Sequence, residues 1–356
     1  MNHWIEHLAT LGARFQPDLH PDSPPQVEDF GRVLTSADLG KGFVAPVTDL
    51  GLIGVAGEDA ASFLHNQLTN DVEHLGTSEA RLAGYCTPKG RLQATFLMWR
   101  DTENIYLQLP RAIQAPLQKR LTMFVLRAKA KLRDATDESA HAAVLGLGGA
   151  AAADALRARA GTLPDAPYAK VDGEAGTVIR LADAFGQPRY LWLTTADAAI
   201  AALAAWKDTL ALGGNAAWQL AAIHAGVPQI GPGTQEQFVP QMVNYELLGG
   251  VNFKKGCYPG QEIVARSQYL GKLKRRTALA TLADAAARPG DEVFSVADPD
   301  QPSGMIVNAA PNGAGGADAL VEIKLAALDG EVRHGSAGGT KLDFLPLPYA
   351  LDALDV

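Results

Sequence analysis

The spacing of apolar residues changes repeatedly along the first third of the chain, and each change predicts a different element. Alternating apolar residues predict strands over 43–55, whereas the apolar stripe over 58–68 has the period of a helix. Residues 92–99 and 105–109 alternate on either side of a polar turn, as in a β-hairpin. A helical period returns over 111–124. This region therefore predicts mixed helices and antiparallel strands.

The rest of the chain divides into regions that differ in composition and in the elements they predict. Residues 17–29 are rich in Pro and Asp and predict a leader, with order beginning near Phe43. From about Lys274, short strands alternate with Gly, Pro, Asp and Asn, which is typical of a small antiparallel barrel. Between these regions we predict strands near 129–133, 143–147, 178–181 and 190–193, and helices over 150–160, 196–212 and 216–225.

Length and composition indicate how many domains the chain forms. The chain has 356 residues, of which 47% are hydrophobic, so it exceeds what one core normally supports and predicts two or three domains. It contains no apolar run of transmembrane length, and its start lacks the basic-then-apolar order of a secretory signal. We therefore expect a cytoplasmic protein that does not bind membranes.

Charge is distributed unevenly along the chain. The formal net charge is −8, yet residues 254–276 carry seven basic side chains against Glu262. Such a segment attracts a polyglutamyl tail, a phosphate backbone or an acidic protein surface, although a solvated strand end explains it nearly as well. The basic residues are Lys254, Lys255, Arg266, Lys272, Lys274, Arg275 and Arg276.

The strongest candidate chemistry lies in residues 253–266, FKKGCYPGQEIVAR, which we call the signature segment. Ammonium groups at Lys254 and Lys255 favour the thiolate form of Cys257, which is the form that attacks or binds metal. Gly256 and Gly260 allow the backbone unusual conformations or a close approach to a ligand. The alternative is a small buried cysteine in an ordinary turn.

The residues after Cys257 add possible contacts. Tyr258 offers a flat stacking face. Gln261, Glu262 and Arg266 have helix-compatible spacing, although the β-branched residues between them make a strand equally possible.

Other motifs in the chain favour structural explanations. The two cysteines, Cys86 and Cys257, are too few to hold an iron-sulfur cluster alone, and a reducing compartment favours free thiols. The histidines lack metal-site spacing, and we expect His65, His74 and His224 to be surface or capping residues, with no metal site. The GLGGAA sequence over 146–151 superficially fits a dinucleotide fingerprint, but a tight strand-to-helix turn explains it adequately.

A longer set of residues resembles the YgfZ family, folate-binding relatives of the glycine-cleavage aminomethyltransferase. The family signature of Lys, Gly, Cys, Tyr, any residue, Gly, Gln and Glu is met at 255–262. The resemblance extends over most of the chain. It includes FLHNQLTNDV at 63–72, YCTPKGRL at 85–92, FVPQ at 238–241 and LPLPYAL at 345–351.

This resemblance implies an α+β, three-domain, aminomethyltransferase-like (T-protein-like) fold around a central channel, with a C-terminal antiparallel β-barrel. The implied folate lies in the channel with the cysteine loop close by. The expected divisions are a flexible leader at 1–30, a discontinuous folate-binding domain at 31–127 plus 196–273, a ferredoxin-like αβ domain at 128–195, and the barrel at 274–356.

The resemblance also implies a function. Family members bind a tetrahydrofolate and support iron-sulfur client enzymes, including one that modifies tRNA, without an established turnover. Cys257 is then the functional thiol. The implied folate-site residues are Trp218, Leu50, Tyr258, Lys254, Lys255, Gly256, Gly260, Gln261, Glu262 and Arg266, with Leu50 standing where the family has a second tryptophan.

The chain departs from the transferase at its acidic pair, where it has Ala94 and Thr95. Neither side chain exchanges a proton at neutral pH, so ordinary aminomethyl transfer is not expected. Two alternatives to the accessory role stay open. One is a folate-dependent one-carbon transferase that uses Glu262 or Asp71 as its acid. The other, which is secondary, is a tRNA-binding module that uses the basic residues of 254–276.

Overall fold

Three sheets and the helices packed on them make up most of the described chain, which comprises residues 3–16, 25–269 and 273–351 of the computed structural model. The α-helices are α1 (His3–Thr10), α2 (Ser36–Lys41), α3 (Ala60–His65), α4 (Arg111–Met123), α5 (Ala152–Ala160), α6 (Ala196–Trp206), α7 (Asn215–His224) and α8 (Gln261–Tyr269). Short 3₁₀ turns occur at Ser139–His141, Pro240–Val243 and Leu325–Ala327.

The strands follow one another along the chain in three groups. The amino-terminal half begins with β1 (Arg14–Phe15), β2 (Val27–Asp29), β3 (Phe43–Pro46), β4 (Leu50–Ala56), β5 (Ala80–Cys86), β6 (Leu92–Arg100), β7 (Asn104–Pro110) and β8 (Lys131–Asp134). The middle contains β9 (Ala143–Gly148), β10 (Lys170–Gly173), β11 (Gly176–Ala184), β12 (Gln187–Thr194) and β13 (Ala211–Leu212). The carboxyl-terminal part contains β14 (Arg275–Leu282), β15 (Glu292–Ser295), β16 (Gly304–Pro311), β17 (Ala317–Lys324), β18 (Val332–His334) and β19 (Leu342–Leu345).

A five-stranded and a six-stranded sheet both contribute residues to one hydrophobic core. The five-stranded sheet has the order β5-β6-β7-β4-β8, and the six-stranded sheet has the order β10-β11-β12-β9-β3-β13. All their pairings are antiparallel except that of β13 with β3. Helix α7 is apolar on nearly every side because it packs between the sheets and the carboxyl-terminal strands, and all but three of its residues are buried.

The carboxyl-terminal strands form a nearly closed antiparallel barrel of order β18-β15-β16-β17-β14-β19. Its two end strands approach each other, because Arg333 in β18 bridges to Lys341 next to β19. The amide of His334 also donates to the Thr340 carbonyl at 2.8 Å. The predicted barrel is therefore confirmed.

Several predicted elements are confirmed, and one is too long. The predicted hairpin is β6 paired with β7, and the predicted helix over 111–124 is α4. The predicted helix over 196–212 ends at Trp206, because Ala211 and Leu212 instead add a parallel strand beside β3.

The expectation that order begins near Phe43 is wrong. Helix α1 is folded, and its Trp4 and Leu8 are buried in the core beneath the six-stranded sheet. Strands β1 and β2 pair with each other, and Arg14 forms an ion pair with the buried carboxylate of Asp29. The Pro- and Asp-rich part of the predicted leader at 17–24 lies outside the described residues.

Strand pairing crosses the predicted boundary at residue 128. Strand β8 was assigned to the second domain but pairs with β4 in the five-stranded sheet. Conversely, β3 and β13 from the predicted folate-binding domain extend the six-stranded sheet. The division of the chain into domains stays a prediction, but these three strands do not follow it.

The barrel is attached to the rest of the molecule by buried polar contacts. Arg276 in β14 forms an ion pair with Glu246 and donates to the Gln241 carbonyl at 2.9 Å. Only 5% and 4% of the two charged side chains are exposed, so neither charge is hydrated. Burial raises the pKa of Glu246, and the adjacent Arg276 charge opposes this shift. The pair is therefore sensitive to loss of either member.

Replacing Arg276 with Met should reduce the free energy of unfolding by about 3–5 kcal/mol, because Glu246 would remain as an uncompensated buried charge. Urea denaturation measures this loss. The matched control is Lys341→Met, which breaks an ion pair with Asp343 whose side chains are both more than half exposed. That variant should stay within about 0.5 kcal/mol of the parent protein. Equal losses in the two variants would contradict the role of burial.

Candidate functional site

A cavity of about 710 Å³, counting its opening to solvent, lies between the two sheets and helix α7. Its wall is mainly apolar and aromatic, with a few polar groups, which is the composition of small-molecule sites. Strands β4 to β7, β11 and β12 each contribute to it, as does the segment after α7. The lining residues are Asp49, Leu50, Leu82, Thr95, Phe96, Leu97, Gln108, Tyr168, Leu181, Arg189, Trp218, Gln219, Ala222, Val227, Pro228, Gln229 and Tyr245.

Trp218 and Leu50, two residues implied by the family resemblance, both line this cavity. Trp218 is only 6% exposed and lies on α7, where its indole packs against β9 at Gly146. A Cβ at Gly146 would lie 2.7 Å from Cδ2 of Trp218, inside van der Waals contact. Glycine at this position therefore makes room for the ring, which is the structural role of the GLGGAA sequence.

A cationic side chain already covers one face of the Trp218 indole. The guanidinium carbon of Arg189 lies 4.8 Å from the ring centroid, within the range of a cation–π contact. Sequence reasoning expected a pterin or aminobenzoyl ring to stack on Trp218. On the face that Arg189 covers, the structure provides a guanidinium and not open space.

Arg189 is a buried cation without an ion-pair partner among the described residues. It is 3% exposed, and its Nε donates to the Ala182 carbonyl at 3.0 Å. Its Nη1 is buried and makes no hydrogen bond. Burial lowers the pKa of Arg189 to about 10, so the side chain stays charged at neutral pH. The cavity wall thus carries a cation with an unused donor.

Asp49 supplies an acidic group to the cavity wall. Its Oδ2 accepts a hydrogen bond from Nε2 of Gln219 at 2.6 Å, whereas its Oδ1 is inaccessible to solvent and has no partner. Burial raises the pKa of this carboxyl group, and the bond from Gln219 opposes the shift. Among the residues that line the cavity, Asp49 alone carries a carboxyl group.

The position of the missing transferase acid also faces this cavity. Thr95 lines it, and its hydroxyl accepts a hydrogen bond from the Ile230 amide at 3.0 Å. Ala94 is buried in a different core beneath the five-stranded sheet. Neither side chain exchanges a proton at neutral pH.

The signature segment forms a tight loop that leads into α8. Gly260 has φ +81°, and a Cβ there would lie 2.6 Å from the backbone of Gly90 in the YCTPKGRL turn. The loop and the turn therefore pack directly on each other. Residues 261–269 are helical, which decides between the two local alternatives, and Val264 anchors α8 in the core.

Cys257 is exposed at this loop, whereas Tyr258 is buried. The Tyr258 ring is covered by the Lys255 ammonium group, whose Nζ lies 5.0 Å from the ring centroid. Lys255 donates to the carbonyls of His65 and Leu68, which fixes it beneath the loop. Tyr258 therefore does not present the free stacking face that the sequence predicted.

Burial also changes the acid-base chemistry of Lys255. It lowers the pKa of the ammonium group to about 8, and the charges of Asp71, Cys257 and Glu73 oppose the shift. Lys255 is thus close enough to Cys257 for their charges to interact. Lys254 is exposed, and only its backbone amide is bonded within the loop, to Oδ1 of Asn252 at 2.8 Å.

His65 is a residue of this site that sequence reasoning missed. Its Nδ1 lies 3.1 Å from Oδ1 of Asp71, and its Nε2 lies 3.6 Å from the Cβ position of Gly256. Burial acts to raise the pKa of Asp71, but hydrogen bonds from His74 lower it overall. His65 therefore lies next to the loop that carries the exposed thiol, and its Nδ1 also accepts a hydrogen bond from the Val72 amide at 3.4 Å. The signal was available in FLHNQLTND, where a histidine precedes an acid by six residues.

The signature segment does not contribute to the wall of this cavity. None of residues 253–266 lines the cavity, so Cys257, Gly256, Gln261, Glu262 and Arg266 do not meet Trp218 and Leu50 there. Glu262 and Arg266 are exposed on α8, and Gln261 is half-buried at its start. That these residues share one folate site with Trp218 and Leu50 stays a prediction.

The two sites nevertheless share a buried neighbour. Cys86 is 1% exposed, and burial raises the pKa of its thiol to about 12. Its charge would affect the pKa of both Tyr245, in the cavity wall, and Tyr258, in the loop. Both cysteines are free thiols.

No family model matches the chain, but curated proteins do. The tRNA-modifying protein YgfZ of Edwardsiella ictaluri is 34% identical over 307 residues, which cover 84% of this chain and 90% of that protein. The chain belongs to the YgfZ family. The YgfZ protein of Photorhabdus laumondii is also 34% identical, over 64% of this chain and 67% of its own.

A solved structure confirms the predicted fold class of this YgfZ family member. The glycine cleavage system aminomethyltransferase T of Bartonella henselae superposes with a TM-score of 0.74 over 97% of this chain and 96% of its own. The two sequences are 16% identical. This likeness establishes a shared α+β fold of mixed helices and sheets.

Two of the seven basic residues in 254–276 are not available to an anion in this YgfZ family member. Arg276 is buried against Glu246, and Arg275 forms an ion pair with the buried carboxylate of Glu322. Lys272 lies outside the described residues. The basic segment therefore presents a smaller positive surface than its sequence predicts.

Other functional features are absent from the described structure. Within the ranges it covers, no three His, Cys, Asp or Glu side chains converge in a way that could hold a metal ion. No helix in the same ranges is long and apolar enough to cross a membrane.

Adding a methyl group at Gly146 should displace the Trp218 ring. Gly146→Ala is expected to cost about 1–3 kcal/mol of stability through overpacking and to change the near-UV circular dichroism of the tryptophans. Gly173→Ala is the matched control, because a Cβ at that strand glycine meets nothing within 4 Å. An unchanged spectrum in Gly146→Ala would show that the ring does not depend on this gap.

The buried ammonium group of Lys255 predicts a pH dependence. Its pKa in the folded chain is about 8, below its ordinary value of 10.5, so the unfolded chain binds more protons at this group between those values. The stability of the parent protein relative to Lys255→Met should therefore rise with pH from 8 to 10.5. It should be constant between pH 6 and 7.5. Urea denaturation at each pH measures the difference, and a fall across the upper range would contradict the burial of Lys255.

Proposed function

We propose that this protein works in the cytoplasm as a tetrahydrofolate-binding accessory protein for tRNA modification, and that it supports an iron-sulfur client enzyme. The cavity between the sheets holds the folate, and Cys257 serves the client. The observation that carries the proposal is the cavity itself, in which Trp218 and Leu50 line one space with two buried charged groups. The tRNA-related role rests on the curated relatives, which are named tRNA-modifying proteins.

The cavity suits a flat, partly polar ligand such as a reduced pterin. Its aromatic wall residues, including Phe96, Tyr168 and Trp218, provide apolar surface. Arg189 and Asp49 add one basic and one acidic side chain to the wall. A ring system with polar edges can satisfy such groups while its faces remain in apolar contact.

The chemistry of the cavity disfavours the transferase alternative. Glu262 and Asp71, the acids considered for that route, do not line the cavity, and Asp71 is bonded to His74. Thr95 cannot take up a proton at neutral pH. We therefore propose binding without aminomethyl transfer. Direct tRNA binding through 254–276 is also disfavoured, because Arg275 and Arg276 are engaged in ion pairs.

Cys257 is placed to meet another molecule. The thiol is exposed, and the loop around it is supported by Lys255 and the Tyr258 ring. His65 lies next to this loop, with its Nε2 3.6 Å from the Cβ position of Gly256. The thiol therefore acts at the surface, on a client enzyme or its cluster, while the folate occupies the interior.

Tetrahydrofolate should quench the intrinsic tryptophan fluorescence in a saturable manner. Trp218→Leu should weaken binding about tenfold, because an aromatic wall contact is lost. Trp206→Phe is the control, since Trp206 lies in a separate core beside Trp192 and does not line the cavity. The affinity of that variant should be unchanged. Absence of saturable binding by the parent protein would remove the proposed function.

Replacing Cys257 with Ala should separate the two roles. Tetrahydrofolate affinity should stay within about twofold of the parent value, because Cys257 lies outside the cavity wall. Client activity, measured as the modified nucleoside content of tRNA in cells that lack their own copy, should fall. Cys86→Ala, which removes the buried thiol, should retain that activity per folded molecule. A parallel loss of folate affinity in Cys257→Ala would contradict the separation.

A further inference from the structure

The turn after α4 exposes three large apolar side chains in close succession. Leu126 is 88% exposed, Met123 66% and Phe124 46%. Among the described residues only four other large hydrophobic side chains are exposed, and none of them lies in this turn. Single apolar residues are common on protein surfaces, whereas a cluster of them indicates a surface that contacts another molecule. We call residues 123–126 the apolar tip.

The backbone of the apolar tip is anchored to the protein although its side chains are exposed. Val125 and Ala128 pack against the core beneath the five-stranded sheet. The Ala128 amide donates to the Val125 carbonyl at 2.8 Å, and the Phe124 amide donates to the Leu121 carbonyl at 3.0 Å. Leu126 has φ +43°, a left-handed conformation that is unfavourable for a residue with a Cβ. The fold therefore holds a leucine in solvent in a strained conformation, which folding alone does not explain.

The apolar tip lies in a strongly basic stretch of an acidic chain. Residues 111–133 contain seven basic residues and no acidic one, although the net charge of the chain is −8. Three of these residues, Arg111, Lys129 and Arg133, form ion pairs with acids outside the stretch. The other four are exposed and make no hydrogen bond or ion pair with any residue that the structure describes: Lys119, Arg120, Arg127 and Lys131. The protein therefore leaves four positive charges in this stretch without a counter-charge.

Helical geometry brings two of these charges beside the apolar tip. Lys119 and Arg120 precede Met123 by four and three residues, which is the spacing of neighbours on a helix surface. On the other side of the tip, Arg127 follows Leu126 directly. Three unpaired cations therefore adjoin the exposed apolar side chains.

The chemistry of the apolar tip distinguishes between possible anionic partners. Surfaces that bind single-stranded RNA use aromatic rings on which bases stack, whereas Leu126 and Met123, the most exposed side chains here, are aliphatic. Reading a base edge also needs free hydrogen-bonding groups. The only such side chain in residues 121–126 is that of Thr122, whose hydroxyl donates to the Gln118 carbonyl at 2.7 Å. The apolar tip is therefore poorly suited to a nucleic acid.

An anionic lipid surface fits both parts of this arrangement. Aliphatic and phenylalanine side chains are stabilised at the boundary between headgroups and acyl chains, and Lys and Arg are attracted to the lipid phosphates. The rest of the chain is net negative and is repelled by such a surface, so the basic stretch turns this end of the molecule toward it. A surface contact needs no apolar run of spanning length, so the lack of one in the sequence does not oppose it.

We infer that the apolar tip is a peripheral contact site for an anionic lipid surface. Its three exposed side chains enter the boundary between headgroups and acyl chains, and the unpaired cations stay level with the phosphates. The binding is weak and reversible, because three side chains bury little apolar surface. This contact involves neither the cavity nor Cys257, so it is independent of the proposed function.

Cosedimentation of the full chain with large unilamellar vesicles tests this inference. Partitioning onto phosphatidylcholine vesicles that contain about 30% phosphatidylglycerol should exceed partitioning onto pure phosphatidylcholine at least about tenfold. Raising the salt concentration from about 0.1 to 0.5 M should reduce the binding about tenfold, because salt screens the attraction of the cations. Equal partitioning onto the two kinds of vesicle, or none onto either, would overturn the inference.

Leu126→Asn tests the contribution of the apolar side chains. Partitioning onto the anionic vesicles should fall about fivefold, because the most exposed apolar side chain is lost. Asn tolerates the left-handed conformation, so the thermal midpoint should be unchanged or higher. The control is Val296→Asn, which changes an exposed apolar residue outside the tip and should keep partitioning within about twofold. Undiminished binding by a folded Leu126→Asn variant would rule out the insertion of the tip.

A matched pair of charge variants tests whether the cations act at this site. Arg120→Gln combined with Arg127→Gln should reduce partitioning onto the anionic vesicles at least about tenfold. Lys41→Gln combined with Lys207→Gln removes the same charge from exposed lysines at the ends of α2 and α6, and should reduce it less than about twofold. Equal losses in the two variants would mean that net charge alone attracts the protein, and the assignment to this site would fail.

Two further measurements identify the partner if vesicles are not bound. Binding of unfractionated tRNA that Leu126→Asn weakens would assign the tip to a nucleic acid. Dimerisation in sedimentation velocity that Leu126→Asn abolishes would assign it to a second copy of this chain. Either result in place of vesicle binding overturns the inference. Tetrahydrofolate quenching on the same preparation reports on the proposed function, so the two can fail separately.

Discussion

The close packing of Trp218 on Gly146 is the constraint on which the cavity depends. Helix α7 can approach β9 closely only because the strand lacks a side chain there, and the indole then lies beneath the guanidinium of Arg189. Protein interiors are densely packed, so a cavity between two sheets persists only where the residues of its walls are held in place. Here an aromatic ring, a glycine and a buried cation fix one wall together.

The elements that local pattern defines were predictable from the sequence. The β6–β7 hairpin and α4 were found because their apolar period is contained within a few turns of chain. Sheet membership was not predictable in the same way. Strand β13 pairs with β3 although the rest of both sheets separates them in sequence, and no local pattern records such a contact.

Some residues of the cavity wall were predictable from the sequence, and others were not. Trp218 and Leu50 entered through the family resemblance, and the structure places both in one cavity. Arg189 was missed, although a single arginine at the start of the apolar run YLWLT was a visible sign of a buried charge. Asp49 was missed because a lone acid before a strand looks like an ordinary turn residue. Its importance appears only when the fold brings it to the wall that Arg189 shares.

The exposed thiol does not lie in the wall of the cavity. Cys257 lies at the surface on a loop that rests against the YCTPKGRL turn, whereas the cavity lies between the sheets. Cys86 is buried and is an electrostatic neighbour of Tyr245 in the cavity wall and of Tyr258 in the loop.

Helix α7 is the element through which the interior and the barrel meet. At its end, Nε2 of His224 lies 2.6 Å from Oδ2 of Asp318 in the barrel, while Trp218 on the same helix faces the cavity. Coupling between two binding events is reciprocal in free energy. A molecule that binds the barrel and shifts this helix would therefore alter the binding of any ligand in the cavity, and that ligand would alter binding at the barrel by the same factor.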